Sequence, residues 1–134
     1  MNKLSRRKFL QATSLAAATA AGKRILGASP GEKRPLRVVQ IGTQHSHAGS
    51  KWRTLREMPH LYELVGILEP DPKNRKIAAE DSDFADALWI ENRDTLRELE
   101  IDAVLVETDL PYLIEWAQYS LESGWHVHVD KPAG

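Results

Sequence analysis

Two features of the sequence carry the residues most able to do chemistry. In the first, the run Leu36-Arg37-Val38-Val39-Gln40-Ile41 ends at Gly42 and is followed by Thr43-Gln44-His45-Ser46-His47, after which a helical pattern begins at Ala48. A glycine closing a β-branched run lets the backbone turn sharply, so the next helix aims its N-terminus, with free N–H groups and a partial positive charge, at an anion. The turn Gly42, Thr43, Gln44, His45 and His47 is therefore a candidate phosphate site. The second feature is Glu69, at the tip of the next apolar run and 22 residues beyond His47. A carboxylate about 20 residues after a glycine turn is placed to accept hydrogen bonds from a ribose, the pattern of a dinucleotide site.

Histidines invite a metal reading, since His45-Ser46-His47 and His126-Val127-His128 are both His-x-His pairs. The first pair belongs to the turn after a strand, the second to a strand near the opposite edge of the same sheet, and no carboxylate stands at a standard ligand spacing. No metal ligands are expected. Trp52, Trp89, Trp116 and Trp125 read as core or interface aromatics, and Trp116 with Tyr112 and Tyr119 reads as an exposed face.

The elements that must position these groups alternate. Strands are expected at residues 36–41, 62–69, 87–90, 101–106 and 125–129, and helices at 48–58, 73–80, 92–100 and 111–123. The near-continuous apolar run 101–106 should lie at the sheet centre, covered on both faces. The buried sides of the helices are assigned to Trp52, Leu55 and Met58, to Leu96 and Leu99, and to Leu113, Ile114, Ala117 and Leu121, with Gly124 closing the last helix. Alternating strands and helices give an α/β fold, a Rossmann-type parallel sheet with helices on both faces and ligand at the strands' C-terminal ends.

Composition narrows the partners. Lysine plus arginine number 18 against 19 aspartate plus glutamate, which leaves no basic footprint for nucleic acid, and there is no cysteine for a disulfide, a thiolate metal site or a nucleophile. Upstream of the domain, Ser5-Arg6-Arg7-Lys8-Phe9-Leu10 precedes a weakly apolar, alanine-rich stretch too short to span a bilayer. This segment resembles a twin-arginine export signal. Residues 1–28 are expected to be that signal, 29–35 a linker and 36–134 the domain, with the protein exported to the periplasm and no stable membrane span.

At the far end, Gly124-Trp125-His126-Val127-His128-Val129-Asp130-Lys131-Pro132 resembles the block that closes the N-terminal domain of the Gfo/Idh/MocA oxidoreductases. Val38–Gly42, Leu64–Asp71 and Ile101–Thr108 match the same family in order and spacing. The resemblance implies that Gly42 to His47 hold the cofactor pyrophosphate, Glu69 its adenosine ribose, and Thr108 its nicotinamide side. Asp130 stands for the family's glutamate, and Lys131 stands beside both nicotinamide and substrate hydroxyl. A positive charge there eases deprotonation of the hydroxyl as hydride leaves. Departures are specific: the family's later turn glycines are Gln44 and His47 here, so phosphate binding leans on helix N–H groups and polar side chains. Asp109-Leu110-Pro111-Tyr112-Leu113 replaces the family's Pro-Asn-x-x-His.

The cofactor implied is NAD, with NADP possible because Lys73 and Arg75 follow Glu69. The substrate implied is a sugar, polyol or related secondary alcohol. The chain reaches Gly134 where the family enters its catalytic domain, so this chain alone is expected to bind the dinucleotide without turnover and to require a separate catalytic domain or subunit. The alternative is a non-catalytic dinucleotide-binding module that docks on a partner. An unrelated Rossmann-like enzyme such as a methyltransferase fits the fold but not Lys131-Pro132.

Overall fold

A computed structural model describes residues 33–130. The signal segment, most of the linker and Lys131 lie outside the described residues. Four parallel strands, β1 (Leu36–Ile41), β2 (Tyr62–Leu68), β3 (Ala103–Val106) and β4 (His126–Val129), form one sheet in the order β2-β1-β3-β4. Between them run α1 (Ala48–Arg56), α2 (Pro72–Ala79), α3 (Arg93–Glu98) and α4 (Leu110–Glu122).

The pleat sorts side chains onto two faces. Val39, Ile41, Val104 and Val106 point to one face and are sealed by Leu96 of α3 and by Leu113, Trp116 and Ala117 of α4. On the other, Ile67 packs with Ala48 and Trp52 of α1, Ala78 of α2 and Phe84. The helix termini follow their local chemistry. Asp71 caps α2 by accepting from the Lys73 N–H at 2.7 Å, and Asn92 caps α3 by accepting from the Thr95 N–H at 3.0 Å. Gly124, at φ +83°, ends α4 as expected.

Several expectations are corrected. Residues 87–90 do not make a strand: Trp89 forms a single parallel bridge with Ile67, supported by bonds from Ile67 N–H to the Leu88 carbonyl and from Ile90 N–H to the Ile67 carbonyl, both 2.8 Å. The segment emerges from a left-handed residue, Asp86, and touches the sheet for one pair only. The run 101–106 starts its ladder only at Ala103, and β3 shares the sheet interior with β1. Asp102 stands just before the ladder: its N–H donates to the Arg37 carbonyl at 2.9 Å and its carbonyl accepts the His126 N–H at 3.0 Å, while its carboxylate accepts the Arg37 N–H at 2.8 Å and the Arg34 guanidinium at 2.6 and 2.8 Å. Arg34, assigned to the linker, is thereby tied to the domain.

On α4 the buried stripe is Leu113, Trp116, Ala117 and Ser120, while Ile114 and Leu121 are exposed. Trp116 and Tyr119 are core rather than an exposed face: their rings meet edge-on at 5.6 Å, and Tyr119 meets Trp125 at 5.9 Å. Arg93 lies over Trp116 and Tyr119, 4.3 and 4.5 Å from the ring centroids. Only Tyr112 of that trio remains exposed. In α1, Trp52 is fully inside and Leu55 is half-buried, while the helix ends at Arg56, so Met58, also half-buried, lies beyond it.

Candidate functional site

The turn residues, Glu69 and Thr108 collect where β1, β2 and β3 end, with Asp130 at the end of the neighbouring β4. Gly42 takes φ +88°, and a Cβ there would sit 2.6 Å from the Thr108 nitrogen and 2.7 Å from its Cα and Cγ2. Only glycine permits both the backbone conformation and the contact. Its N–H donates to the Leu68 carbonyl at 2.8 Å, and the Glu107 N–H donates to the Ile41 carbonyl at 2.7 Å, so the three strand ends are laced together.

Beyond Gly42 the turn folds over β3. The Gln44 and His45 N–H groups both donate to the Glu107 carbonyl, at 3.1 and 3.0 Å. Helix α1 then starts at Ala48 with His47 at the N-cap position and no side-chain cap. The Ala48 N–H donates to the His45 carbonyl at 2.9 Å, which leaves those of Gly49 and Ser50 as first-turn groups that the helix cannot satisfy internally and that could face an anion. Gln44 and His47 are exposed beside it, and the His45 and His47 rings stack at 5.5 Å.

Glu69 is nearly buried at the tip of β2, where Oε2 accepts the Thr43 hydroxyl at 2.7 Å and Oε1 accepts the Asp71 N–H at 3.1 Å. The candidate ribose acid is thus bonded directly to the candidate phosphate turn. Thr108 is buried against Gly42, and its Oγ1 lacks a hydrogen-bond partner. An uncapped helix end, a glycine-only contact and an orphaned buried hydroxyl at one strand edge fit a bound dinucleotide.

Two residues that sequence reasoning missed complete the site. Glu107 is fully buried, and Lys51, on the second turn of α1, bridges it to Asp130 with 2.7 Å bonds to Glu107 Oε1 and Asp130 Oδ2. His45 Nδ1 stands 3.3 Å from Asp130 Oδ2 and 3.5 Å from Glu107 Oε2. Partial burial pulls the Lys51 ammonium down, but hydrogen bonds to Asp130 and Glu107, with their charges, outweigh it and hold its pKa above the ordinary lysine value. The available signal was periodicity. In the alternation that buries Val104 and Val106 on one face, Glu107 falls on the other, the side of α1.

The predicted set is therefore brought together as Gly42 with Thr108, Thr43 with Glu69, His45 with His47, and His45 with Asp130. His126 and His128 are apart from it. They lie on exposed positions of β4 opposite Ala103 and Leu105, earlier along β3 than Glu107.

Comparison with known proteins agrees with this geometry. No curated protein sequence matches the chain. Among solved structures, the WlbA dehydrogenase of Bordetella pertussis, determined with NADH and UDP-GlcNAcA, is similar at 18% identity and TM-score 0.56, over 70% of this chain and 28% of that one. YPO2259 of Yersinia pestis, described as a candidate oxidoreductase, is similar at 24% identity and TM-score 0.57, over 73% and 27%. A super-repressor mutant of Gal80p from Saccharomyces cerevisiae is similar at 12% identity and TM-score 0.52, over 68% and 24%. These likenesses show the fold, and the chain spans about a quarter of the length of each. A family model described as the oxidoreductase family, NAD-binding Rossmann fold, matches residues 36–134. The chain belongs to the Gfo/Idh/MocA family and carries its NAD-binding Rossmann domain.

Proposed function

We propose that this domain is the cofactor half of an exported NAD-linked oxidoreductase acting on a sugar, polyol or related secondary alcohol, completed by a separate catalytic domain or subunit. The observation that carries the cofactor part is the Thr43–Glu69 bond, which fixes a buried carboxylate on the phosphate turn. The twin-arginine resemblance of residues 5–10 supports export to the periplasm, a route suited to proteins folded around a cofactor before transport. NAD is preferred over NADP on charge. A carboxylate at Glu69 repels a ribose phosphate, and Arg75, the residue best able to offset it, is paired with Glu91 at 3.0 Å.

In this reading, turn and helix N–H groups orient the pyrophosphate, Glu69 holds the ribose hydroxyls and Thr108 abuts the nicotinamide side. Bound there, the dinucleotide would supply the hydride acceptor for oxidation of a carbinol. Lys131, which follows Asp130 in the sequence, is assigned by the family resemblance the role of easing deprotonation of the substrate hydroxyl.

The test is NADH binding to the full chain, read as energy transfer from tryptophan to the nicotinamide. Charge-assisted hydrogen bonds are worth about 1.5–3 kcal/mol, so E69A should weaken NADH by roughly 10- to 150-fold. Equal affinity in parent and E69A would remove Glu69 from the cofactor site. Turnover of a sugar or inositol by this chain alone would overturn the need for a second domain.

A further inference from the structure

The cluster behind the phosphate turn has a chemistry of its own. His45, Glu107 and Asp130 each present one ligand atom, and these atoms lie within 4.8 Å of one another. Two of the separations are 3.3 Å (His45 Nδ1 to Asp130 Oδ2) and 3.5 Å (His45 Nδ1 to Glu107 Oε2). Zinc bonds to imidazole nitrogen and carboxylate oxygen at about 2.0–2.2 Å, and a tetrahedron of that radius has edges of about 3.3–3.6 Å. These two separations fall in the range that ligands around a small ion take.

Glu107 supplies the independent observation. Its side chain is completely buried and its Oε2 has no hydrogen-bond partner, yet that oxygen faces His45 within the cluster. A buried carboxylate oxygen without a donor is costly, and such an atom in a native site calls for an ion or a donor. Lys51 does not meet the need, because its ammonium is on the other oxygen, Oε1, and on Asp130.

We propose that His45, Glu107 and Asp130 form a three-ligand site for a divalent transition-metal ion, with Lys51 as the outer-shell partner that holds both carboxylates in place. One imidazole with two carboxylates suits zinc or manganese better than softer ions. Three protein ligands leave a further coordination position for water or a ligand oxygen, as in catalytic rather than structural zinc sites. The ion would stand beside the turn that faces the dinucleotide phosphates. This goes beyond the cofactor reading and does not depend on it.

The experiment uses the full chain stripped with chelator and titrated with Zn²⁺ in the absence of nucleotide. Calorimetry measures stoichiometry and affinity, and Co²⁺ substitution gives the visible spectrum. The expected result is one ion per chain. H45Q and E107Q should each weaken it by more than the roughly 10- to 100-fold that follows loss of a mere outer-shell partner, while H126Q/H128Q binds as the parent does. Circular dichroism reports whether E107Q folds. H45Q, at the half-buried turn, decides the matter if E107Q does not. Absence of a stoichiometric ion, unchanged affinity in H45Q, or loss of binding in H126Q/H128Q alone would each overturn the proposal. Since NADH is absent throughout, failure here leaves the cofactor reading standing, and failure of NADH binding leaves this result standing.

Discussion

Replacing Gly42 by alanine separates two costs that coincide at the head of the site. The first is backbone: a non-glycine residue held at φ +88° loses about 1–2 kcal/mol relative to glycine. The second is packing. The added methyl would sit 2.6 Å from the Thr108 nitrogen and 2.7 Å from its Cα, both backbone atoms of a strand end tied to β1 by the Glu107 N–H bond. Overpacking of this kind costs about 1–3 kcal/mol, so G42A should lose about 2–5 kcal/mol in all. Gly124 provides the internal control, because it takes φ +83° and a methyl added there would meet nothing within 4 Å. G124A should lose the backbone part alone. Urea unfolding followed by tryptophan fluorescence reads both, and their difference is the Thr108 contact. T108S in the G42A background removes Cγ2 but neither backbone atom, so it should recover only a minor part. Equal losses in G42A and G124A, or full recovery with T108S, would refute the claim that the Thr108 backbone is what excludes a side chain at residue 42.

Other perturbations test the charge network and the core. K51M strips the fully buried Glu107 of its counter-charge and should cost about 3–5 kcal/mol. A urea midpoint in K51M equal to that of the parent would count against it. At Asp102 the Arg34 side-chain bond, opposed by burial and aided by the Arg37 N–H, holds the carboxyl below its usual value. Its contribution is therefore complete above the unfolded aspartate pKa of about 3.9 and is lost as pH falls through the lower folded value. D102N should flatten the acid limb of a Tm-against-pH curve. R93A removes the guanidinium stacked on Trp116 and Tyr119 and should cost about 0.5–2 kcal/mol in the same unfolding assay.

What was legible in the sequence and what was not divide along a physical line. Strand β1, its glycine turn, α1 and the tip of β2 could be read because each depends on local signals: β-branched runs, a glycine where φ must be positive, an acid at a fixed interval. The faces of α4 could not. Leu113, Ile114, Ala117 and Leu121 satisfy a helical period as well as Leu113, Trp116, Ala117 and Ser120 do, and the choice between them is made by partners outside the helix, Arg93 and Trp125. Residues 87–90 had strand composition, but composition does not say whether a neighbour offers more than one ladder pair.

The site shows the same division more sharply. Gly42, Thr43, His45 and Glu69 announce themselves by spacing, whereas Glu107 and Lys51 are 56 positions apart and neither lies in a motif. Glu107 follows a run of apolar residues and would pass for a solvated strand-end acid. Its burial follows from the parallel topology, which brings β1 and β4 to either side of β3 and lays the turn over its end. Lys51 is then the residue on α1 whose reach matches the gap between Glu107 and Asp130. The polar interior of this site is thus a product of strand order, with the alternation along β3 setting only the face on which Glu107 falls. For the same reason, a substitution at Lys51, far in sequence from Asp130, should disturb the end of β4.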